Sequence, residues 1–373
     1  MKIVFVSNYL NHHQKPLADK LYELTAGGFL FIQTEEVAQE RRKLGWHDDY
    51  SEPYLIVYQR EPERCRKQIE MADAVVIGGS SDEYIRERLR SNGLIFRYEE
   101  TIFKNGWKDL LQPGKWKMLW VCHFRYRKNS VYMLCASGNA AKEFRRLGLY
   151  RGKMFRWGYF PVKIAYDVPK LMEGKEKSVP EILWCARFIW WKHPEKMVEL
   201  ARKLKNQGIL FHCTMLGTGE LYDRTAETVR REGLEELVSL PGSTSPEEVR
   251  ECMRTADIFL ATSGREEGWG AVVNEAMNAG CAVVANKSMG AAPYLIEDGV
   301  DGYVYGTDDE MYSVVRDLCA DPAKRGKVGA AAYDKIADLW NSDVAAERLI
   351  RQVRAQTAGE PVPVYREGPC SQA

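Results

Sequence analysis

The sequence lacks any apolar run of about 18 residues, the length a membrane span needs, and its first run, Met1–Val6, is too short for a signal segment. It also lacks CxxC pairs and Cys/His clusters at zinc spacing, and its nine cysteines are an odd, singly spread set, so a disulfide scaffold and a zinc module are excluded. The cysteines read as reduced thiols, which makes a cytoplasmic protein the expectation. Internal repeats and low-complexity tracts are missing, which excludes solenoid and collagen-like arrays. No DxD-like acidic cluster is placed to hold a divalent cation, so neither a metal site nor a cofactor is expected. What remains is globular material: 373 residues, 45% apolar and 28% charged, enough for two domains with a core each.

The net charge of +1 conceals an asymmetry. Residues 101–160 hold 13 Lys and Arg against only Asp109 and Glu143, so the rest of the chain is acidic. Such a segment points to an anionic partner or surface. Nucleic acid ranks last among these, because no recognised nucleic-acid motif accompanies the charge.

Along the chain, apolar runs alternate with amphipathic stretches. Strands are expected at 2–8, 29–32, 74–79, 93–96 and 117–122, with helical stretches such as 16–24 and 83–89 between them. After a polar, turn-rich stretch at 171–180 the alternation restarts, with strands near 182–185, 211–217, 238–240, 258–260 and 281–285 and helices at 194–206 and 246–255. This pattern predicts an α/β protein of two Rossmann-like, doubly wound parallel-sheet domains, 1–160 and 161–340, facing across a cleft. Residues 340–357 read as a terminal helix with Ser342 as a possible cap, and 341–373 are expected to return to the N-terminal domain.

In open α/β sheets ligands bind beyond the carboxyl ends of the strands. Three loops there carry suitable chemistry. In Arg187–Lys192, an Arg and a Lys five apart at a strand exit can converge on a pyrophosphate. In Gly217-Thr218-Gly219 a tight turn brings backbone near a base or ribose. In Ser263–Gly270, the loop glycines Gly268 and Gly270 let amides approach a phosphate, with Trp269 contributing its backbone. Glu267 and Glu275 are eight apart, about two turns, which sets both carboxylates on one face of a helix that begins early. Asn11, His12 and His13 at the first strand exit are candidate sugar or acceptor contacts, and His123, following the expected strand 117–122, should open into the cleft. Each also has a plainer reading as a loop or core residue, and of Trp190 and Trp191 one is expected to be packing.

Taken in order and spacing, residues 182–192, 214–220, 238–242, 256–280 and 283–302 resemble the donor domain of retaining glycosyltransferases of family 4, which have the GT-B fold. Glu267 and Glu275 fall on that family's Glu-x7-Glu element, Arg187 and Lys192 on its phosphate-binding pair, and 297–305 (EDGVDGYVY) on its ending. Residues 135–161 resemble the segment before the interdomain linker; over 1–134 the resemblance is much weaker. The sequence departs from the family at three places. Asn8–Gln14 replaces a glycine-rich loop, Ala186 and His193 stand where glycines commonly flank the cationic pair, and Tyr294 stands where Glu is common.

The resemblance implies metal-independent transfer of a hexosyl unit, with retention, from a nucleotide-diphosphate sugar to a glycan or lipid-linked acceptor, as in bacterial polysaccharide assembly. It assigns Arg187 and Lys192 to the leaving diphosphate, Glu275 to the ribose, Glu267 to the sugar and His123 to the transferring sugar or acceptor. Glu267 as covalent nucleophile and a same-face mechanism assisted by the leaving phosphate both stay open. The alternatives are a nucleotide-sugar epimerase of the same fold and a non-catalytic nucleotide-sugar-binding subunit. With Trp107, Trp116, Trp120, Phe124 and Tyr126 among the cations of 101–160, attachment to an anionic membrane surface, on the inner face, completes the expectation.

Overall fold

The computed structural model describes residues 1–37, 50–175 and 177–373. Its contacts divide the chain into two units: unit 1, Met1–Val162 with Trp340–Ala373, and unit 2, Lys163–Leu339.

Unit 1 is built on seven parallel strands, β1 (Ile3–Ser7), β2 (Phe29–Gln33), β3 (Leu55–Val57), β4 (Ala74–Gly78), β5 (Ile95–Glu99), β6 (Val131–Cys135) and β7 (Met154–Arg156), in the order β3-β2-β1-β4-β5-β6-β7. β1 and β4 are buried along their whole length, as an apolar run covered on both faces must be. One face carries Val4, Ile77, Ile95 and Met133 into a continuous core, while Tyr54 and Tyr132 on the other reach Asp19 and Gln356 on helices Lys15–Leu24 and Ser342–Ala358. Residues Cys370–Ala373 then run antiparallel beside β7, exchanging backbone hydrogen bonds with Arg156 and Met154.

Unit 2 has six parallel strands, β8 (Glu181–Cys185), β9 (His212–Leu216), β10 (Val238–Gly242), β11 (Ile258–Ala261), β12 (Ala282–Asn286) and β13 (Tyr303–Tyr305), ordered β10-β9-β8-β11-β12-β13. Its helix starts are written in the sequence. Pro194 opens helix Pro194–Asn206, and Ser245 and Glu248 form a reciprocal capping box at Pro246–Thr255. In each sheet the strand order reverses once, between β1 and β4 and between β8 and β11, and these switch points are where an α/β sheet leaves room for a ligand.

Two elements differ from the sequence reading. Residues 117–122 are not a strand: Pro113 starts a helix, Pro113–Leu119, which continues into a single π-helical turn, Trp120–Phe124. Leu119 is buried while Trp120 and Val121 are 62% and 41% exposed, so the apolar run serves two opposite sides of a helical segment and never alternates. The strand expected there is supplied by Val131–Cys135 instead. The terminal helix is capped by Asn341 rather than Ser342, its side chain accepting from the Val344 amide at 3.0 Å.

Candidate active site

At the unit 2 switch point the loops leaving β8 and β11 are stitched together by buried hydrogen bonds. The Trp184 indole donates to Thr262 Oγ1 at 2.8 Å, and the Gly264 amide donates to the Trp191 carbonyl at 2.9 Å. Thr262 Oγ1 in turn donates to the Lys192 carbonyl at 2.5 Å. The two loops therefore form one rigid rim at the carboxyl ends of the central strands.

That rim carries the charge. Arg187 is exposed, its guanidinium 5.5 Å over the Trp191 ring, and it makes no ion pair among the described residues. Lys192 is more shielded, and its ammonium donates to Glu267 Oε2. The two cations expected to act alike are thus in different states, one open to an anion and one already neutralised by a carboxylate. Trp191 is the partly shielded member of the Trp pair, whereas Trp190 is 52% exposed.

Glu267 and Glu275 do not share a helix face as expected, because the helix begins only at Val272 and Glu267 lies in the loop before it. Burial pushes the Glu275 carboxyl up to about 7, with Arg250 the one opposing charge. Gly268, Trp269 and Gly270 are buried. Trp269 is packed, with its indole donating to Asn274 Oδ1 at 2.8 Å and its carbonyl accepting from the Ala291 amide. Gly270 has φ +94°, and a Cβ there would lie 2.6 Å from Met289. Gly217 has φ +127°, and a Cβ would lie 2.0 Å from the Ala186 carbonyl oxygen, so this glycine lets the β9 exit run against the β8 exit. His193 has φ +52°, which explains on backbone grounds why a glycine is common there, and its ring reaches Glu195 Oε1 at 2.8 Å.

In unit 1 the first exit loop is occupied in a way the sequence reading missed. Asn11 Oδ1 accepts from the His13 and Gln14 amides at 3.0 and 3.2 Å, so Asn11 is buried as the fastening of the loop into helix Lys15–Leu24 and is not presented as a contact residue. His12 is exposed and its ring lies against that of His13, tilted by 50° with centroids 3.8 Å apart, and the Tyr159 ring lies 6.0 Å from His13.

His123 is the clearest correction. It lies in the π-helical turn, 2% exposed, with Nδ1 at 2.8 Å from the Tyr150 hydroxyl and its ring against Phe144. Desolvation and the nearby Arg97 guanidinium push its pKa down to about 3, so it is a neutral core residue. Arg97 is itself locked bidentately onto Asp82, at 2.7 Å for both bonds. The sequence reading passed over a different strand exit, that of β5, which ends at Glu99 with Glu100 next to it. Glu100 accepts from the Tyr159 hydroxyl at 2.7 Å and from Lys104 at 2.8 Å, and burial raises the Glu99 carboxyl to about 7. The signal was an apolar run, Leu94–Phe96, followed within three residues by paired carboxylates. Among the described residues no group of three or more His, Cys, Asp or Glu is placed to hold a metal ion.

Residues 172–335 match the family model for glycosyl transferases group 1. A putative colanic acid biosynthesis glycosyltransferase, WcaL of Salmonella typhimurium, is 30% identical over 181 residues, 45% of this chain and 44% of that protein. The amylovoran biosynthesis glycosyltransferase AmsK of Erwinia amylovora is 31% identical over 175 residues, 45% of this chain and 43% of its own length. The chain thus spans less than half the length of either of these relatives. Among solved structures, HepE of Anabaena in complex with UDP superposes with TM-score 0.69 at 16% identity, over 95% of this chain and all of that one. Sucrose-phosphate synthase of Thermosynechococcus elongatus gives 0.68 at 14% identity, over 96% and 100%. At such identities the likeness is one of fold, two Rossmann-like parallel-sheet domains of the GT-B type. The sequence similarity lies where the charged rim lies, in unit 2.

Proposed function

We propose that the protein is a retaining glycosyltransferase of polysaccharide biosynthesis, moving a hexosyl unit from a nucleoside-diphosphate sugar to a hydroxyl of a lipid-linked glycan. The observation that carries this reading is the rim at the unit 2 switch point, where an unpaired Arg187 stands beside the Lys192–Glu267 pair within the segment that matches glycosyl transferases group 1.

As the bond to the leaving diphosphate breaks, negative charge grows on its oxygens, and fixed cations that meet it there stabilise the transition state more than the bound donor. Arg187 offers a planar fork to two phosphate oxygens, and Lys192 a point charge held in place by Glu267. Together they supply the electrostatic work a divalent cation does elsewhere, so in this reading transfer needs no metal. Glu275 receives the ribose hydroxyls, and ionisation of its desolvated carboxyl makes it a stronger acceptor for them. Glu267 shares its second oxygen with the sugar, and the leaving phosphate accepts the proton of the incoming hydroxyl on the same face. Unit 1 supplies the acceptor side, with His12, His13, Glu99 and Glu100 as contact candidates.

The test is incubation of the full chain with a panel of nucleoside-diphosphate hexoses and a membrane lipid extract, with and without EDTA, the anomeric configuration of the product being read by NMR. Transfer from one donor class with retained configuration, undiminished by EDTA, is expected. An inverted product overturns retention, a requirement for added Mg²⁺ overturns metal independence, and an isomerised donor without transfer identifies an epimerase.

A further inference from the structure

The segment read from sequence as a strand has an outer side unlike any other among the described residues. Leu110, Leu111, Trp116, Trp120 and Val121 are 45%, 71%, 44%, 62% and 41% exposed, five of the twelve exposed large apolar side chains among the described residues, within twelve residues of sequence. They sit on helix Trp107–Leu110 and its capping residue Leu111, on helix Pro113–Leu119 and on the π-helical turn Trp120–Phe124. The Trp116 indole donates to the Leu110 carbonyl at 2.9 Å and folds the two short helices against each other, which gathers the apolar side chains. The inner side is anchored. Leu119 and His123 are buried, and Met118, Phe124 and Tyr126 pack on the unit 1 core, so the last two are not surface rings as the sequence implied.

Charge is sorted in the same way. Asp109, the one acid in residues 107–128, is fully buried and accepts from the Asn105 amide and side chain, both at 3.0 Å. Lys115 turns inward to the Ile102 carbonyl at 2.7 Å. Lys108, Lys117, Arg125, Arg127 and Lys128 remain exposed around the apolar cluster, with no exposed acid among them.

We propose that residues 107–128 of unit 1 dock on an anionic lipid surface, with Leu110, Leu111, Trp116, Trp120 and Val121 seated at headgroup depth and the five exposed cations against lipid phosphates. The chemistry selects this occupant. Indole and leucine side chains gain by leaving water for the headgroup boundary, where an indole N–H and a long basic side chain still find partners. A second copy of the chain does not fit, since an isologous contact through this face brings its cations against their own counterparts with no carboxylate to pair them. Among the described residues no helix is long and apolar enough to cross a membrane, so the contact lies in the interface. Docking is independent of the activity proposed above; it adds to that reading a reason for the acceptor to be lipid-linked.

The experiment is co-sedimentation of the full chain, without donor, with vesicles of phosphatidylcholine alone or mixed with phosphatidylglycerol. Binding is expected to rise with phosphatidylglycerol and to fall at high salt. Each exposed cation is worth about fivefold in partition, about 1 kcal/mol, so Lys117→Glu with Arg125→Glu should lower binding at least about 25-fold. Leu111→Ser with Trp120→Ser should abolish the binding that survives high salt. These side chains are exposed, so thermal midpoints and UDP-induced thermal shifts should stay at parental values, which keeps failure of docking separate from failure of donor binding. Equal sedimentation with neutral and anionic vesicles, or unchanged binding by both double variants, overturns the proposal. Dissociation of an oligomer by Leu111→Ser and Trp120→Ser, seen by light scattering, overturns it in favour of a protein partner.

Discussion

The two units share a plan of parallel strands, helical crossovers and one switch point, yet they leave their accessible charge in different places. Unit 2 sets Arg187, Lys192 and Glu267 on exit loops where solvent or a ligand can reach them. Unit 1 sinks Arg97 and Asp82 into its core beside His123 and Tyr150, and turns its unpaired cations outward on the 107–128 segment. Unit 2 buries charge as well, with Lys175, Asp257 and Arg325 each 1% exposed, so the units differ in what they leave accessible: a charged rim at strand exits in unit 2, a basic surface on 107–128 in unit 1. The lesson is that ionisable residues near a strand end announce a site only when their partners leave a bond to spare.

The largest expected effect tests the unit 1 half of this contrast. Asp82→Ala strands a buried guanidinium and should cost about 3–5 kcal/mol in urea unfolding of the full chain; a loss near zero would mean that the pair holds nothing. Next come Arg187→Ala and Lys192→Ala, which should leave unfolding close to parental while lowering kcat by the equivalent of roughly 2.7–4 kcal/mol, as deletion of a transition-state donor does. Near-normal turnover in either would erase the contrast from the other side.

Glu275 sharpens it, because one residue carries both roles. The folded protein holds its proton up to about 7, whereas the unfolded chain releases it near the ordinary 4.5, so this group's contribution to stability declines between those values. Glu275→Gln should therefore be more stable than the parent at pH 8 by about 1–3 kcal/mol, with the gap closing towards pH 4.5, and should bind donor more weakly. An equal gap at both pH values would show that the carboxyl is not desolvated. The smallest effect is His193→Gly, which removes a left-handed non-glycine residue and should gain up to about 1 kcal/mol, read as a rise in thermal midpoint, without loss of activity.

How far the sequence could be read follows the same division. In unit 2 the local signals agree with one another: Pro194 and Pro246 open helices Pro194–Asn206 and Pro246–Thr255 at the positions read from sequence, and every strand from β8 to β12 follows an apolar run. The short edge strands Leu55–Val57, Met154–Arg156 and Tyr303–Tyr305 escaped because three residues carry too little pattern. The error at 117–122 has a different origin. A segment with one apolar side turned to the core and another turned outward shows neither the helical nor the strand period, so the misreading falls on the surface feature that is itself unusual. The His123 assignment failed with it, while the pairing of Lys192 with Glu267 depends on side-chain reach that spacing does not encode.

The return of residues 340–373 to unit 1 sets an order of events in time. Unit 2 is one uninterrupted stretch of chain, Lys163–Leu339, and has all of its residues before unit 1 does. Unit 1 must wait for helix Ser342–Ala358 to cover helix Lys15–Leu24 and for Cys370–Ala373 to line the open edge of β7. On the ribosome, the half that carries the charged rim is therefore free to fold first, and unit 1 closes later, along the seam between helix Lys15–Leu24 and helix Ser342–Ala358.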